Sequence, residues 1–319
     1  MKSKRFLARS FTTFMCRAKV GVLCFACVAS ALAQAGIASD PRNIVNGHTL
    51  PDENYCDQPY VVVLDDGTWV CTLTTGPGSE SEKGQHIVAT RSTDHGKTWS
   101  DLVPIEQSEG AMASWVVPFR TPFGRIYAFY NYNGDRIQTL KGEEINPCLL
   151  GWYCYKYSDD GGRTWSKRYR VPMRVTACDR SNDWNGEVQM FWGIDEPVVM
   201  NGEMYTSFTK LGKFIQSQGE GWVYHSPNIL HEKDPEKHRF ELHPEGEHGI
   251  RAGRFGSVQE EHNITPVGND GLYCVYRTTT GHPCHAYSRD GARSWTEPVH
   301  MTYRPDGDRK IKNPRACPM

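Results

Sequence analysis

Beyond residue 33 the 319-residue chain contains no apolar run long enough to cross a bilayer, which takes about 20 residues as a helix. A Gly-rich phosphate loop and an EF-hand pattern are also missing, so neither motif offers a nucleotide or calcium site. Among the eight cysteines past the leader (Cys56, Cys71, Cys148, Cys154, Cys178, Cys274, Cys284 and Cys317) there is no Cys-x-x-Cys pair. His282-Pro283-Cys284-His285 sits in a strand-like stretch, where neighbours point to opposite faces. No metal and no cofactor is therefore expected. Low-complexity tracts and collagen-like periods are absent, and 38% hydrophobic residues with 30 Gly and 19 Pro describe a foldable chain rich in turns.

Acidic residues are missing from positions 1–39, which hold six Lys/Arg. Lys2, Lys4, Arg5, Arg9, Arg17 and Lys19 precede an apolar run of fourteen residues from Val20 to Ala33, and Ala31-Leu32-Ala33 and Ala33-Gln34-Ala35 fit a cleavage site. Residues 1–39 thus read as a signal peptide and 40–319 as the mature domain, secreted or periplasmic, with no membrane span after cleavage. Without the leader, 30 basic residues face 37 acidic ones, which argues against a nucleic-acid partner, since counterion release needs a basic face. Cysteine pairing does not follow from spacing; Cys71 and Cys274, each in a β-patterned run after a Gly turn, read as small buried apolar residues.

The chain repeats itself. Ser92-Thr93-Asp94-His95-Gly96-Lys97-Thr98-Trp99, Ser158-Asp159-Asp160-Gly161-Gly162-Arg163-Thr164-Trp165 and Ser288-Arg289-Asp290-Gly291-Ala292-Arg293-Ser294-Trp295 share one pattern. Their serines stand 66 and 130 residues apart, which calls for a further copy near 224, where Tyr224-His225-Ser226-Pro227-Asn228 keeps only the Ser. Between these boxes runs a second series, with turns at Asp66-Gly67, Phe123-Gly124, Asn201-Gly202 and Asp270-Gly271, each ahead of an aromatic, β-branched strand. Two hairpins in about 65 residues make a four-stranded unit, and such units repeated around an axis are the blades of an all-β propeller. Four repeats are read, near 57–110, 113–175, 190–245 and 258–303, and Lys312–Met319 reads as the first strand of another. Inner-strand ends converge on a propeller axis, so Asp57-Gln58, Ser114-Trp115, Asp195-Glu196, Glu260-Glu261-His262 and Arg315 are expected to line a shared pocket.

These boxes and their period resemble the sialidase superfamily, over roughly residues 55–319. The resemblance implies a propeller of six blades, of which about four are present, so the chain is expected to be incomplete at its C-terminus. It also implies a carbohydrate substrate, three arginines for a sugar carboxylate, a Glu assisting a Tyr nucleophile, and an acid/base Asp. Glu261 and Arg277, 16 residues apart across one hairpin, match the family's Glu and second arginine. Asp57-Gln58-Pro59 replaces the family's Arg-Ile-Pro, and His86 stands where the acid/base Asp belongs, six residues before the box serine. Catalytic roles thus fall to Glu261, His86 and Asp57, and substrate contacts to Arg277, Gln58, Arg315, Asp135 and Arg136; the last two, with Tyr130 and Tyr132, read as a polar aromatic loop after the second strand of blade 2. The expected activity is that of a secreted sialidase-like glycoside hydrolase on terminal acidic or polar sugars. Two alternatives stand beside it: a non-catalytic platform for carbohydrate or protein, and a His-using glycosidase or lyase acting on uronate polysaccharides.

Overall fold

The computed structural model describes residues 43–213 and 217–313. The leader and Arg315 lie outside them. The chain divides into two compact units, Met1–Leu50 and Pro51–Met319; the described part of the first holds one 3-10 turn, Ile44–Asn46, capped by the Asn43 side chain. Among the described residues no helix is long and apolar enough to span a membrane.

The second unit is a β-propeller arrangement of four antiparallel blades. Blade 1 runs β1 (Tyr55–Val63), β2 (Trp69–Gly76), β3 (His86–Ser92) and β4 (Val103–Pro104). Blade 2 uses β5 (Ala113–Arg120) and β6 (Ile126–Tyr132), then, after a small hairpin of β7 (Thr139–Leu140) and β8 (Glu143–Glu144), β9 (Trp152–Ser158) and β10 (Tyr169–Arg170). A one-turn helix, α1 (Ala177–Arg180), leads to blade 3, whose inner edge is split into β11 (Phe191–Trp192) and β12 (Val198–Met200), followed by β13 (Glu203–Lys213), β14 (Ser217–Ser226) and β15 (Glu241–His243). Blade 4 is β16 (Gln259–Val267), β17 (Gly271–Thr278), β18 (Cys284–Ser288) and β19 (Val299–His300). The hairpin turns fall where the Gly series predicts, with one shift. Gly67, Gly124 and Gly202 have φ of 82°, 89° and 77°, but in blade 4 the left-handed turn residue is Gly268 (φ 70°) and Gly271 already belongs to the strand.

The three boxes join the third and fourth strands of blades 1, 2 and 4. In each, the Ser hydroxyl donates to the Asp (2.8, 2.7 and 2.8 Å), and the same carboxylate accepts from the backbone N–H and hydroxyl of Thr98, Thr164 or Ser294. Burial opposes ionisation of Asp160, yet the hydrogen bonds from Thr164 and Ser158 bring its carboxyl down to about 2. In blade 3 the sequence after Ser226 has no such Asp, and buried Ile229 and Leu230 fill the corner.

Blades are held together by their faces. Aromatic rings dominate between blades 2 and 3, where Phe129, Tyr153, Phe191, Phe208, Trp222 and Tyr224 pack into one cluster. Blades 3 and 4 meet more closely. His262, fully buried, has Nδ1 2.9 Å from Thr209 Oγ1 and Nε2 3.1 Å from the Ile250 carbonyl, and it stacks on Tyr276. A carbonyl only accepts, so the proton sits on Nε2 and the ring is neutral; burial pushes its pKa down to about 3. The His262 ring also occupies the space that a Cβ on Gly221 would need. Gly221→Ala is therefore expected to destabilise the fold by about 3 kcal/mol, read from the denaturation midpoint.

The seven described cysteines are free thiols. Cys71 and Cys274 are fully buried, as expected of small apolar residues, and burial pushes the Cys71 thiol up to about 12.

Candidate active site

Three inner strands break register at the same level. Pairing of β1 with β2 skips between Asp57 and Tyr60, that of β5 with β6 between Ser114 and Val117, and that of β16 with β17 between Glu260 and Asn263. Each skip is a β-bulge with one residue in the left-handed region: Gln58 (φ 49°), Trp115 (φ 54°) and Glu261 (φ 57°). A bulge re-aims its side chain, and the bulges do so at the predicted positions of blades 1, 2 and 4.

Blade 3 differs. The gap in its inner edge spans 193–197, so the residue level with the other bulges is Trp192, paired with Thr209. Asp195 and Glu196, expected at the mouth, lie further along the strand. Asp195 is buried in the wall between blades 3 and 4, where Oδ2 is 2.7 Å from both the Ser207 N–H and hydroxyl and Oδ1 accepts from the Ile264 N–H. Burial pushes its carboxyl up to about 7 against those hydrogen bonds. Glu196 is exposed.

Around the axis the contacts run as a chain. The Asp57 carboxyl is raised by burial and by the negative charge of Glu80, while hydrogen bonds from Tyr55 and the Trp115 side chain hold it back. Trp115 meets Trp192 edge-on at 5.4 Å, and the Arg277 guanidinium stands 5.4 Å from the Trp192 ring centroid. Arg277 Nη2 then reaches Glu261 at 2.8 Å and Glu260 at 3.2 Å. Asp57 is thereby linked to the Glu261–Arg277 pair through the two tryptophans. Met112, Met190 and Leu211 pack beneath those rings. Two buried polar atoms at this level, Gln58 Oε1 and Trp192 Nε1, have no hydrogen-bond partner among the described residues.

Beside the mouth opens a cleft of about 600 Å³ between the β2–β3 loop and the β7–β8 hairpin, lined in part by Glu80, Lys83, Gln85, Met112, Glu144 and Ile145.

Other predicted residues fall elsewhere. In the register, Cys56, Thr75 and His86 share one face of blade 1, whereas Asp57, Thr74 and Ile87 share the other. The His86 ring accordingly lies on the face opposite Asp57, 3.7 Å from Glu53 and 3.2 Å from the Gly84 carbonyl. Asp135 is exposed and its carboxylate accepts from the Trp152 indole at 3.1 Å; Arg136 is exposed in the same loop with φ 55°. Tyr130 and Tyr132 belong to β6 instead of that loop. Tyr130 donates to Glu106 in the interior, and Tyr132 lies under the Arg168 guanidinium.

No protein-family model matches the sequence, and no curated protein does. Solved structures do match. A Hadza microbial sialidase, Hz136, superposes with a TM-score of 0.54 at 17% identity over 77% of this chain and 46% of its own. An intramolecular trans-sialidase from Ruminococcus gnavus, in complex with oseltamivir carboxylate, gives 0.52 at 15% identity over 79% and 72%. A protein of unknown function from Dyadobacter fermentans gives 0.63 at 14% over 81% and 72%. This chain thus has the sialidase-type β-propeller fold, and it spans less than half the length of the first of these relatives.

Proposed function

We propose that this protein is a secreted glycoside hydrolase that removes a terminal acidic sugar from glycans at the mouth of the propeller axis. The observation that carries the reading is Arg277, held between Trp192 and the carboxylates of Glu261 and Glu260. A guanidinium donates two parallel hydrogen bonds to a sugar carboxylate, and indole faces take the apolar side of a sugar ring. The unpartnered Trp192 N–H and Gln58 carbonyl offer a donor and an acceptor to sugar hydroxyls. In this reading Asp57, whose carboxyl is raised by burial, gives its proton to the leaving glycosidic oxygen as the C–O bond breaks, and Glu261 takes a proton from the water that attacks the sugar carbon.

Two observations favour a second reading, a sugar-binding platform without turnover: Arg277 already engages two carboxylates, and His86 is turned to the other face of its blade. The two readings separate in one assay. Purified protein is incubated with glycans carrying terminal acidic sugars, and released monosaccharide is quantified beside binding. Hydrolysis predicts release that falls about a hundredfold or more in Asp57→Asn and Glu261→Gln. Saturable binding with no product selects the platform, and neither binding nor release rejects both.

A further inference from the structure

On the outer half of blade 3, away from the axis, β14 and β15 bring His225, Glu241 and His243 together, their ligand-type atoms all within 4.8 Å of one another. The register explains the meeting: His225 faces Glu241 directly across the pair, and His243 stands two residues further along the same face. His225 and His243 are buried, while the Glu241 side chain is 47% exposed and gives the cluster a way to solvent.

The proton positions make this more than a cluster. His225 Nε2 lies 2.7 Å from Glu203 Oε2, and an ionised carboxylate only accepts, so Nε2 carries the hydrogen. The other ring nitrogen, Nδ1, lies 3.3 Å from Glu241 Oε2. His243 Nε2 faces that same oxygen at 3.5 Å, and neither His243 nitrogen has a hydrogen-bond partner although the residue is 2% exposed. Three ligand-type atoms therefore converge, and the two buried His243 nitrogens carry no hydrogen bond of their own. For ligands about 2.1 Å from a tetrahedral zinc ion, neighbouring donor atoms stand about 3.4 Å apart. The two imidazole–carboxylate separations, 3.3 and 3.5 Å, match that edge, and the two imidazole nitrogens lie within 4.8 Å of each other.

We propose that His225 Nδ1, His243 Nε2 and Glu241 bind a zinc-type divalent transition-metal ion, with water in the fourth position. Glu203 is the outer carboxylate that fixes the His225 tautomer, an arrangement common behind metal-bound imidazoles. Tyr205, stacked on His225 at 4.5 Å, holds the ring plane. The ion ties β14 to β15, and so serves the fold independently of the axis site.

The test is metal uptake by the full-length protein. After chelator treatment and dialysis, Zn²⁺ alone is titrated by calorimetry and counted by atomic absorption; Co²⁺ is added separately for its visible spectrum. One zinc per chain, a tetrahedral Co²⁺ absorption band and a higher melting temperature with zinc are expected. Glu241→Gln and His243→Asn should each weaken zinc binding at least about tenfold, and Glu203→Gln by about 10–100-fold. Glu241 is half exposed, so Glu241→Gln stays informative if the buried His243 variant fails to fold. A folded wild-type chain that takes up no zinc overturns the proposal, as does a Glu241→Gln protein that binds zinc like wild type.

Discussion

Replacing Arg277 with Ala is expected to abolish recognition of an acidic sugar and to destabilise the protein by about 3–5 kcal/mol. The two effects share one cause. Arg277 is the cation that both Glu260 and Glu261 contact, and these carboxylates are 0% and 9% exposed. Its removal leaves two neighbouring buried carboxylates without that charge. Arg277→Lys retains the charge but loses the planar fork, so stability should fall less while sugar affinity still drops. The combined variant Glu260→Gln, Glu261→Gln and Arg277→Ala should regain much of the lost stability and none of the binding, which separates charge burial from recognition. Calorimetric sugar titration and urea denaturation of the three proteins check this.

A comparably large effect attaches to Asp195, and it depends on pH. The carboxyl titrates at about 7 in the fold against 3.8 ordinarily. Well below pH 3.8 both folded and unfolded chains keep the proton, and the associated stability is fully present. As pH rises the unfolded chain ionises first, so stability drains away until the folded carboxyl ionises too, a loss of roughly 4 kcal/mol by about pH 8. The Ser207 hydroxyl stands 2.7 Å from Asp195 and 2.6 Å from the His262 carbonyl, and it has one hydrogen to give. A protonated Asp195 donates to Ser207, which then donates to His262. Asp195→Asn should thus lack this pH-dependent loss, and the difference between the two proteins at pH 5 and pH 8 isolates it from His262, whose lowered pKa acts in the opposite direction. Equal slopes for wild type and Asn variant would refute the assignment.

Local chemistry made the blades legible. A Ser-x-Asp box closes its own corner with bonds spanning two to four residues, and Gly67, Gly124 and Gly202 mark hairpins that need a left-handed residue. The repeat bounds therefore agree with the blades to within a few residues. Side-chain direction was harder to read. His86 and Ile87 differ by one position and face opposite ways, because a strand alternates, and spacing from Ser92 does not say which face of β3 is shared with Asp57. Trp192 went unnoticed because the break in the inner edge of blade 3 runs through 193–197, which moves the mouth upstream of the Asp195-Glu196 pair that looked equivalent to Glu260-Glu261. The contact between Glu261 and Arg277 was readable since a single hairpin joins them. The His225, Glu241 and His243 cluster was not, because it depends on how β15 pairs with β14 after a long connection, and His225 sits inside the degenerate copy of the box.

The most direct trial of the account is a crystal structure of the protein grown with a terminal acidic monosaccharide. The sugar ring is predicted to lie against Trp115 and Trp192, with its carboxylate on Arg277 and a hydroxyl within hydrogen-bonding distance of Asp57. Sugar bound on another surface, or an Arg277 that stays closed on Glu260 and Glu261 at saturating ligand with the axis empty, would contradict it.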